Sequence, residues 1–200
     1  MLTGNDHSGK GGSVKASVSV VLDGAFVMRG ISVVQKKTSS DLLVLMPVRK
    51  RPNGKISEYY HPVNSSARSE LVRVVLDAYH KVEQNPETKI IWYDEAVTMP
   101  TISNIRIDEI PNDRLVKAVV TVVLDNAIAL NQIRIIHDSE LDKTWIAMPA
   151  KKTINETPGM SGETLYLEYF HPISKEFRTI MTNTILSTFQ NIRKAVSVKK

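Results

Sequence analysis

The sequence contains no cysteine, which excludes disulfides, a thiol nucleophile and cysteine-ligated metal sites. It also has no apolar run near the roughly 20 residues that a membrane-spanning helix needs. The first thirteen residues, MLTGNDHSGKGGS, contain no apolar stretch of the kind found in secretory signals, so we expect a cytoplasmic protein without a membrane partner. Aromatic residues make up only 6% of the chain, but hydrophobic residues reach 42%, which is enough for a packed core.

Neither half of the chain has a strong excess of one charge. The net charge is +5 and the pI is about 9.3. Residues 1–100 carry 13 basic and 10 acidic side chains, and residues 101–200 carry 13 and 11, so both halves share the basic excess. An excess of this size is compatible with a nucleic-acid partner without being diagnostic of one.

The dominant feature of the sequence is an internal repeat. VKASVSVVLDGAFVMRGISVV (Val14–Val34) aligns without a gap with VKAVVTVVLDNAIALNQIRII (Val116–Ile136), 102 residues later. EYYHPVNSSAR (Glu58–Arg68) matches EYFHPISKEFR (Glu168–Arg178), 110 residues later. The second copy therefore has eight additional residues between these stretches, in a segment rich in Gly, Ser, Thr and Pro that is typical of a longer loop.

The repeat predicts two modules joined by a linker. We place the first module at residues 1–84, the linker at 85–100 and the second module at 101–200. The sequence Asn85-Pro86 favours a helix end at this boundary, because the residue before a proline is disfavoured in the helical conformation.

Each copy has the pattern of an α+β module, in which an antiparallel sheet carries a C-terminal helix on one face. The dipeptides Asp-Gly and Asp-Asn favour a tight turn between two valine-rich strands, and Met-Pro ends a third strand, since proline cannot donate a ladder hydrogen bond. We predict a loop after Met-Pro, then a short strand, then a helix capped by Asn64 or Ser174. The predicted strands are Val14–Leu22, Phe26–Val34, Leu42–Met46 and Ile56–Tyr60, repeated at Val116–Leu124, Ile128–Ile136, Thr144–Met148 and Leu165–Phe170.

One predicted strand occurs in the second copy only. Residues Ile102–Ile110 have isoleucines at strand-like spacing, whereas the corresponding start of the chain is glycine-rich and polar. We therefore expect that the first module has lost this strand or that its N-terminal segment is flexible. We hypothesise that Lys89–Tyr93, which is apolar for a linker, occupies the vacant sheet edge.

Several motifs, in order and in both copies, resemble the stage V sporulation protein G (SpoVG, septation regulator) family of bacteria. The first copy reads LDGAFVMRGISVV, LLVLMPVRK and HPVNSSAR, and the second reads LDNAIALNQIRII, TWIAMPAKK and HPISKEFR. Both copies depart from the family by having Val48 or Ala150 where a serine usually follows Met-Pro. The resemblance covers most of Val14–Val82 and Ile102–Ile192.

The resemblance implies a small α+β fold that dimerises and a non-enzymatic cytoplasmic regulator of septation, sporulation or gene expression that binds DNA or RNA. Two copies in one chain then suggest an intramolecular pseudo-dimer, either monomeric or paired again as a homodimer. The family's basic residues after Met-Pro map to Arg49 and Lys50, with Arg51 beside them, and to Lys151 and Lys152. No cofactor is implied.

The basic residues also support this interpretation directly. Arg and Lys neutralise phosphates, and Arg49, Lys50, Arg51 and Lys55 lie in a predicted loop that leaves the sheet edge for solvent. Contact with roughly five phosphates of duplex DNA would give log K a slope of about −4.5 against log salt. Because the first copy has more charge here, we expect Arg49–Arg51 to make the stronger contact. The alternative for these side chains is an ordinary solvated turn.

Other candidate residues have structural interpretations. His61 and His171, between an aromatic residue and proline, are expected to fix the turn into the helix, since no nucleophile or carboxylate stands at catalytic spacing. The remaining histidines form no ligand cluster, so no metal site is predicted. Adjacent aromatics at Tyr59-Tyr60 and Tyr169-Phe170 place one ring of each pair in the core and the other towards solvent or the other copy, where it could stack on a base. The alternative function is a protein-interaction module in cell-division control without direct nucleic-acid binding.

Overall fold

A computed structural model describes residues 12–91, 98–154, 162 and 164–197 of the chain. Its elements follow the same order twice, apart from one additional strand at the start of the second series, which confirms the predicted α+β modules. The first series is β1 (Gly12–Leu22), β2 (Phe26–Lys36), β3 (Leu42–Leu45), β4 (Val48–Lys50), β5 (Ile56–Glu58), β6 (Tyr60–Pro62) and α1 (Ser65–Gln84). The second is β7 (Ile102–Glu109), β8 (Val116–Leu124), β9 (Ile128–Asp138), β10 (Lys143–Ala147), β11 (Ala150–Ile154), β12 (Thr164–Glu168), β13 (Phe170–Pro172) and α2 (Lys175–Ser197).

Tight turns join the two long strands of each module, as the Asp-Gly and Asp-Asn pairs predict. Asp23 and Gly24 have φ values of 49° and 59°, and Asp125 and Asn126 both have φ of 50°. Positive φ at both central residues matches the twist of the flanking strands, and Asp, Asn and Gly tolerate it best. The turns close with backbone hydrogen bonds of 2.9 Å in the first module and 2.8 Å in the second.

The two modules exchange their last strands. In the first sheet, β2 pairs with β1 on one side, and on the other side it pairs with both β3 and β13, which comes from the second module. In the second sheet, β9 pairs with β8, β10 and β6, which comes from the first module. This reciprocal pairing confirms the predicted intramolecular pseudo-dimer.

Equivalent hydrogen bonds on the two sides show that the exchange follows an approximate two-fold symmetry. The N–H of Val63 donates to the carbonyl of Ala127, and that of Ile173 donates to the carbonyl of Ala25, both at 2.8 Å. In register, Tyr60 lies opposite Leu130 and Phe170 lies opposite Met28. Each module therefore completes the sheet of the other.

Each helix packs on the sheet of its own module and on the strand that precedes it, as the apolar stripes predict. α1 contacts β1, β2 and β3 through a face that buries Leu71 and Val75. α2 contacts β7 and β10 through a longer stripe of Phe177, Met181, Ile185 and Phe189, which are all at most 5% exposed. The predicted caps are confirmed, since Asn64 Oδ1 accepts from the N–H of Ala67 and Ser174 Oγ from that of Phe177.

Most of the buried side chains in the described residues belong to a hydrophobic cluster that contains residues of both modules. Among its fully buried members are Phe26 and Tyr60 of the first module and Phe170 and Phe177 of the second. Phe170 is 5.9 Å from Phe26 and 6.1 Å from Tyr60 between ring centroids. Separating the modules would therefore expose the centre of the core to water.

The hypothesis that Lys89–Tyr93 fills a sheet edge is wrong for the part of this segment that the structure describes. Residues 88–91 form no strand, and Ile90 is 67% exposed. Trp92 and Tyr93 lie outside the described residues, and so does the N-terminal segment 1–11. Within the described part of the chain, β1 pairs with β2 alone, whereas its counterpart β8 is covered by β7, the isoleucine strand that the sequence predicts.

Neither described helix combines the length and the apolar character that crossing a membrane requires.

Candidate nucleic-acid interface

Two short hairpins project from the sheets and carry all six of the predicted binding residues. β4 pairs with β5, and β11 pairs with β12, each pair forming a separate two-stranded sheet. We call Val48–Glu58 arm one and the described residues of 150–168 arm two. The prediction that a loop directly follows Met-Pro was therefore wrong, because Arg49, Lys50, Lys151 and Lys152 belong to strands.

The Met-Pro pairs mark the points where the chain leaves the main sheets for the arms. Met46 is buried, and the proline after it cannot continue the ladder with β2. The proline carbonyls are nevertheless used, because Pro47 accepts from the N–H of Tyr59 and Pro149 from that of Tyr169, both at 2.9 Å. These bonds close the base of each arm and allow Val48 and Ala150 to begin new strands.

The two arms meet at a pair of stacked tyrosines. The rings of Tyr59 and Tyr169 have centroids 3.9 Å apart and lie within 18° of parallel. Burial, with a smaller contribution from Tyr59, raises the pKa of Tyr169 to about 12. The sequence predicts that one aromatic residue of each adjacent pair faces either solvent or the other copy. Tyr59 and Tyr169 face the other copy, because their rings stack on each other. Tyr60 and Phe170 are fully buried, so neither can stack on a base.

Arm one carries four of the six cations. Arg49 lies opposite Ser57 and Lys50 opposite Ile56, while Arg51 and Lys55 flank the hairpin turn, where their backbones share a 2.8 Å hydrogen bond. Lys50, Arg51 and Lys55 are exposed, and Arg49 is half-buried. The Arg49 Nε and Ser57 Oγ atoms are buried without a hydrogen-bond partner in the described structure, so Arg49 retains an unused donor.

Arm two carries the remaining two cations and more exposed apolar surface. Lys151 is half-buried opposite Leu167, and Lys152 is exposed opposite Tyr166, which is itself 71% exposed. Across both arms, none of the six cations forms an ion pair with any residue that the structure describes. Their charge is therefore available to an external anion.

The two His-Pro histidines differ in their contacts, since His61 bonds to the neighbouring strand β9 whereas His171 Nδ1 is buried without a hydrogen-bond partner in the described structure. His61 Nδ1 lies 3.2 Å from Nδ2 of Asn131, which also donates to the carbonyl of Glu58. His171 Nδ1 lies 3.1 Å from Oε2 of Glu168. Burial, and next the nearby Arg29, lower the pKa of His171, so the imidazole tends to be neutral at pH 7.

No group of three or more His, Asp or Glu side chains in the described ranges could hold a metal ion.

Sequence reasoning missed a cleft at the base of arm two, which we call the arm-two cleft. Its volume is about 480 Å³, and side chains of both modules line it. Arg29 comes from β2, Arg134 from β9, Tyr166 and Glu168 from β12, and His171 from β13. One available signal was the difference between the copies, since the positions equivalent to Arg29 and Arg134 are Asn131 and Ser32.

Comparison with known proteins agrees with the repeat. The SpoVG family model matches residues 6–81 and again residues 100–191. A relative from Desulforudis audaxviator, named "Putative septation protein SpoVG", is 46% identical over 69 residues, which are 34% of this chain and 76% of the relative. Relatives of the same name from Caldanaerobacter subterraneus and Clostridium acetobutylicum are each 37% identical over 78 residues, 39% of this chain and 84% or 80% of the relative. These relatives are therefore less than half as long as this chain.

Proposed function

The chain belongs to the SpoVG family, and we propose that it is a two-module septation regulator of this family that binds DNA or RNA through the cations of its two arms. The observation that carries the proposal is the set of six cations on two projecting hairpins that the described structure leaves unpaired. The septation role rests on the names of the relatives.

The shape of the arms supports contact with a phosphate backbone. Strands alternate the direction of their side chains, so each hairpin presents cations on both of its faces. Arg49 and Lys151 occupy one face of their arms, and Lys50 and Lys152 occupy the other. Since the arms meet at the Tyr59–Tyr169 stack, the two sets of charges extend from one junction and can bind the same polymer.

Binding of this kind depends on salt, because phosphate contacts release condensed counterions. It does not require enzymatic chemistry, and the residues of the arms act by charge and hydrogen bonding. Among them, Arg49 and Arg51 can each bridge two phosphate oxygens through a guanidinium, and Arg51 is exposed at the hairpin turn.

The proposal is tested by removing charge from both arms. A variant with Arg49→Gln, Lys50→Gln, Lys151→Gln and Lys152→Gln should bind labelled single-stranded RNA, single-stranded DNA and duplex DNA much more weakly than wild type in fluorescence anisotropy. A matched control replaces four cations that have no ion pair in the described structure, at Lys15, Lys37, Lys143 and Lys175, and so changes net charge equally. Equal losses in both variants would show that only net charge matters.

A second candidate function is the interaction module, which one observation favours. In the described structure, β1 has a free edge of eleven residues with Val14 53% and Val21 49% exposed. An open strand edge can accept a strand from a partner protein. Wild-type protein that binds no nucleic acid in any of the three assays would favour this function over the first.

A further inference from the structure

We propose that the arm-two cleft holds one nucleotide of a single-stranded nucleic acid, with its base stacked on Tyr166 and its phosphate between Arg29 and Arg134. The inference rests on the proposed function, since it names the nucleic acid that the arms receive. It assigns separate tasks to the two arms, with phosphate contacts on both arms and base contact on arm two alone.

The cleft is large enough to hold a nucleotide. Its volume of about 480 Å³ lies in the range of roughly 300–1,000 Å³ that is usual for such pockets. Ala147, Met148 and Ala150 form an apolar wall, and charged and aromatic side chains form the rest. A base with an attached phosphate needs this combination of apolar and cationic surface.

Tyr166 is the group that selects an unpaired base. Tyr166 is 71% exposed on a hairpin strand, and pairing with Lys152 fixes its backbone, so its aromatic side chain is available to a ligand. Base faces are accessible in single strands and hidden in a duplex. Lys152 lies on the same face of the arm as the ring, where it can neutralise the adjoining phosphate.

The two arginines supply the positive charge inside the cleft. Neither Arg29 nor Arg134 forms an ion pair with a described residue. Arg29 lies on a β-bulge of β2, where its N–H donates to the Tyr169 carbonyl at 2.7 Å and its carbonyl accepts from the Tyr60 hydroxyl at 2.8 Å. Glu168 is the one carboxylate among the lining residues, and its Oε2 lies 3.1 Å from His171 Nδ1.

The equivalent position in the first module lacks these features, which makes the site asymmetric. Asn131 replaces Arg29 and is already bonded to Glu58, His61 and Thr121. Ser32 replaces Arg134 and is only 4% exposed. Ile56 replaces Tyr166 and has no aromatic face. We therefore expect one base-binding site for each chain, although the chain contains two modules.

The test compares single-strand binding with duplex binding for Tyr166→Ala in the full-length protein. Stacking contributes about 1–3 kcal/mol for each base, so affinity for a labelled uridine or thymidine 12-mer should fall about five- to 150-fold. Affinity for a duplex of equal length should stay within about twofold, because its base faces are not accessible. Tyr166→Phe, which keeps an aromatic face, should restore single-strand binding.

The matched control is Ile56→Ala, which truncates the equivalent exposed residue on arm one. It should leave single-strand affinity within about twofold of wild type, since an isoleucine offers no stacking face. A second variant, Arg134→Gln, removes an exposed cation of the cleft and should reduce the steepness of the single-strand salt dependence by about 0.7. Equal losses for Tyr166→Ala and Ile56→Ala would overturn the assignment.

Competition separates a polymer from a free nucleotide as the ligand. Uridine monophosphate at micromolar concentration should not displace the labelled strand, because it lacks the phosphates that the other arm residues contact. Displacement at that concentration would overturn the single-strand assignment in favour of a nucleotide. If the four-charge variant loses binding but Tyr166→Ala binds single strands like wild type, this inference fails and the proposed function stands. If the wild type binds no nucleic acid, both fail.

Discussion

Replacing Tyr60 with phenylalanine removes one hydroxyl from the place where the two modules exchange strands. Tyr60 lies on β6 and is fully buried, and its hydroxyl donates to the carbonyl of Arg29 at 2.8 Å. That carbonyl belongs to the bulge that positions Arg29 in the arm-two cleft. The equivalent residue of the second module is Phe170, which has no hydroxyl. The Tyr60→Phe variant therefore has the same residue at this position in both modules.

The expected cost follows from this one hydrogen bond. A typical net contribution is about 0.5–1.5 kcal/mol, and leaving a buried acceptor unsatisfied costs about 1–3 kcal/mol. Phenylalanine preserves the ring and its packing, so no cavity contribution of importance is added. We therefore expect the free energy of unfolding to fall by about 1–2 kcal/mol, which corresponds to a decrease in Tm of roughly 2–8 °C for a chain of this length.

The assay is urea and thermal denaturation of the full-length protein followed by circular dichroism. Tyr79→Phe is the control, because its hydroxyl bonds to Glu83 on the surface of α1 and its loss should change stability by less than about 0.5 kcal/mol. A Tyr60→Phe protein as stable as the control would refute the conclusion that this bond stabilises the exchanged strand.

Two further perturbations test the shared core and the cleft. Phe170→Ala should lower the free energy of unfolding by about 3–5 kcal/mol, because the ring is fully buried against Phe26 and Tyr60 of the other module. Urea denaturation measures this change, and a decrease of less than about 1 kcal/mol would contradict the prediction. His171, whose pKa is lowered by burial and by Arg29, should make stability pH-dependent. Because His171 binds a proton more readily in the unfolded chain, stability should be highest above pH 6.5 and should fall as the pH drops from 6.5 towards the lower pKa of the folded state. His171→Gln should remove that decline. An unchanged pH profile of stability in the variant would contradict the assignment.

Much of the architecture could be predicted because it depends on local sequence. The Asp-Gly and Asp-Asn turns, the caps at Asn64 and Ser174 and the apolar stripes of both helices each reflect neighbouring residues. The repeat added the pairing of two like modules, which local patterns alone do not give. These predictions are confirmed with boundaries that differ by a few residues.

The first strand of each arm, β4 and β11, could not be predicted from local patterns, whereas the returning strands β5 and β12 overlap the predicted strands Ile56–Tyr60 and Leu165–Phe170. β4 contains three residues and includes Arg49 and Lys50, so it shows no apolar alternation. The pairing of β6 with β9 joins residues about 70 positions apart, and a three-residue strand does not specify its partner by itself. Both features depend on tertiary context.

The cleft was missed because its residues are far apart in the sequence. Arg29, Arg134 and Tyr166 come from three strands of two modules and meet only after the strands exchange. Tyr166 stands in the run TLYLE, which looks like an ordinary half-buried strand, yet its residues 164–167 are all exposed. Differences between aligned positions of the two copies were the signal that pointed to asymmetry.

The salt dependence of RNA binding tests the central claim most directly. The measured quantity is the slope of log affinity for a single-stranded RNA against log salt concentration. In the variant that lacks the charges of Arg49, Lys50, Lys151 and Lys152, this slope should be less steep than in wild type by about 2.8, because each lost phosphate contact removes about 0.7. The control variant at Lys15, Lys37, Lys143 and Lys175 should retain the wild-type slope. Equal slopes for wild type and the arm variant would contradict the account, since the arm cations would then not contact phosphate.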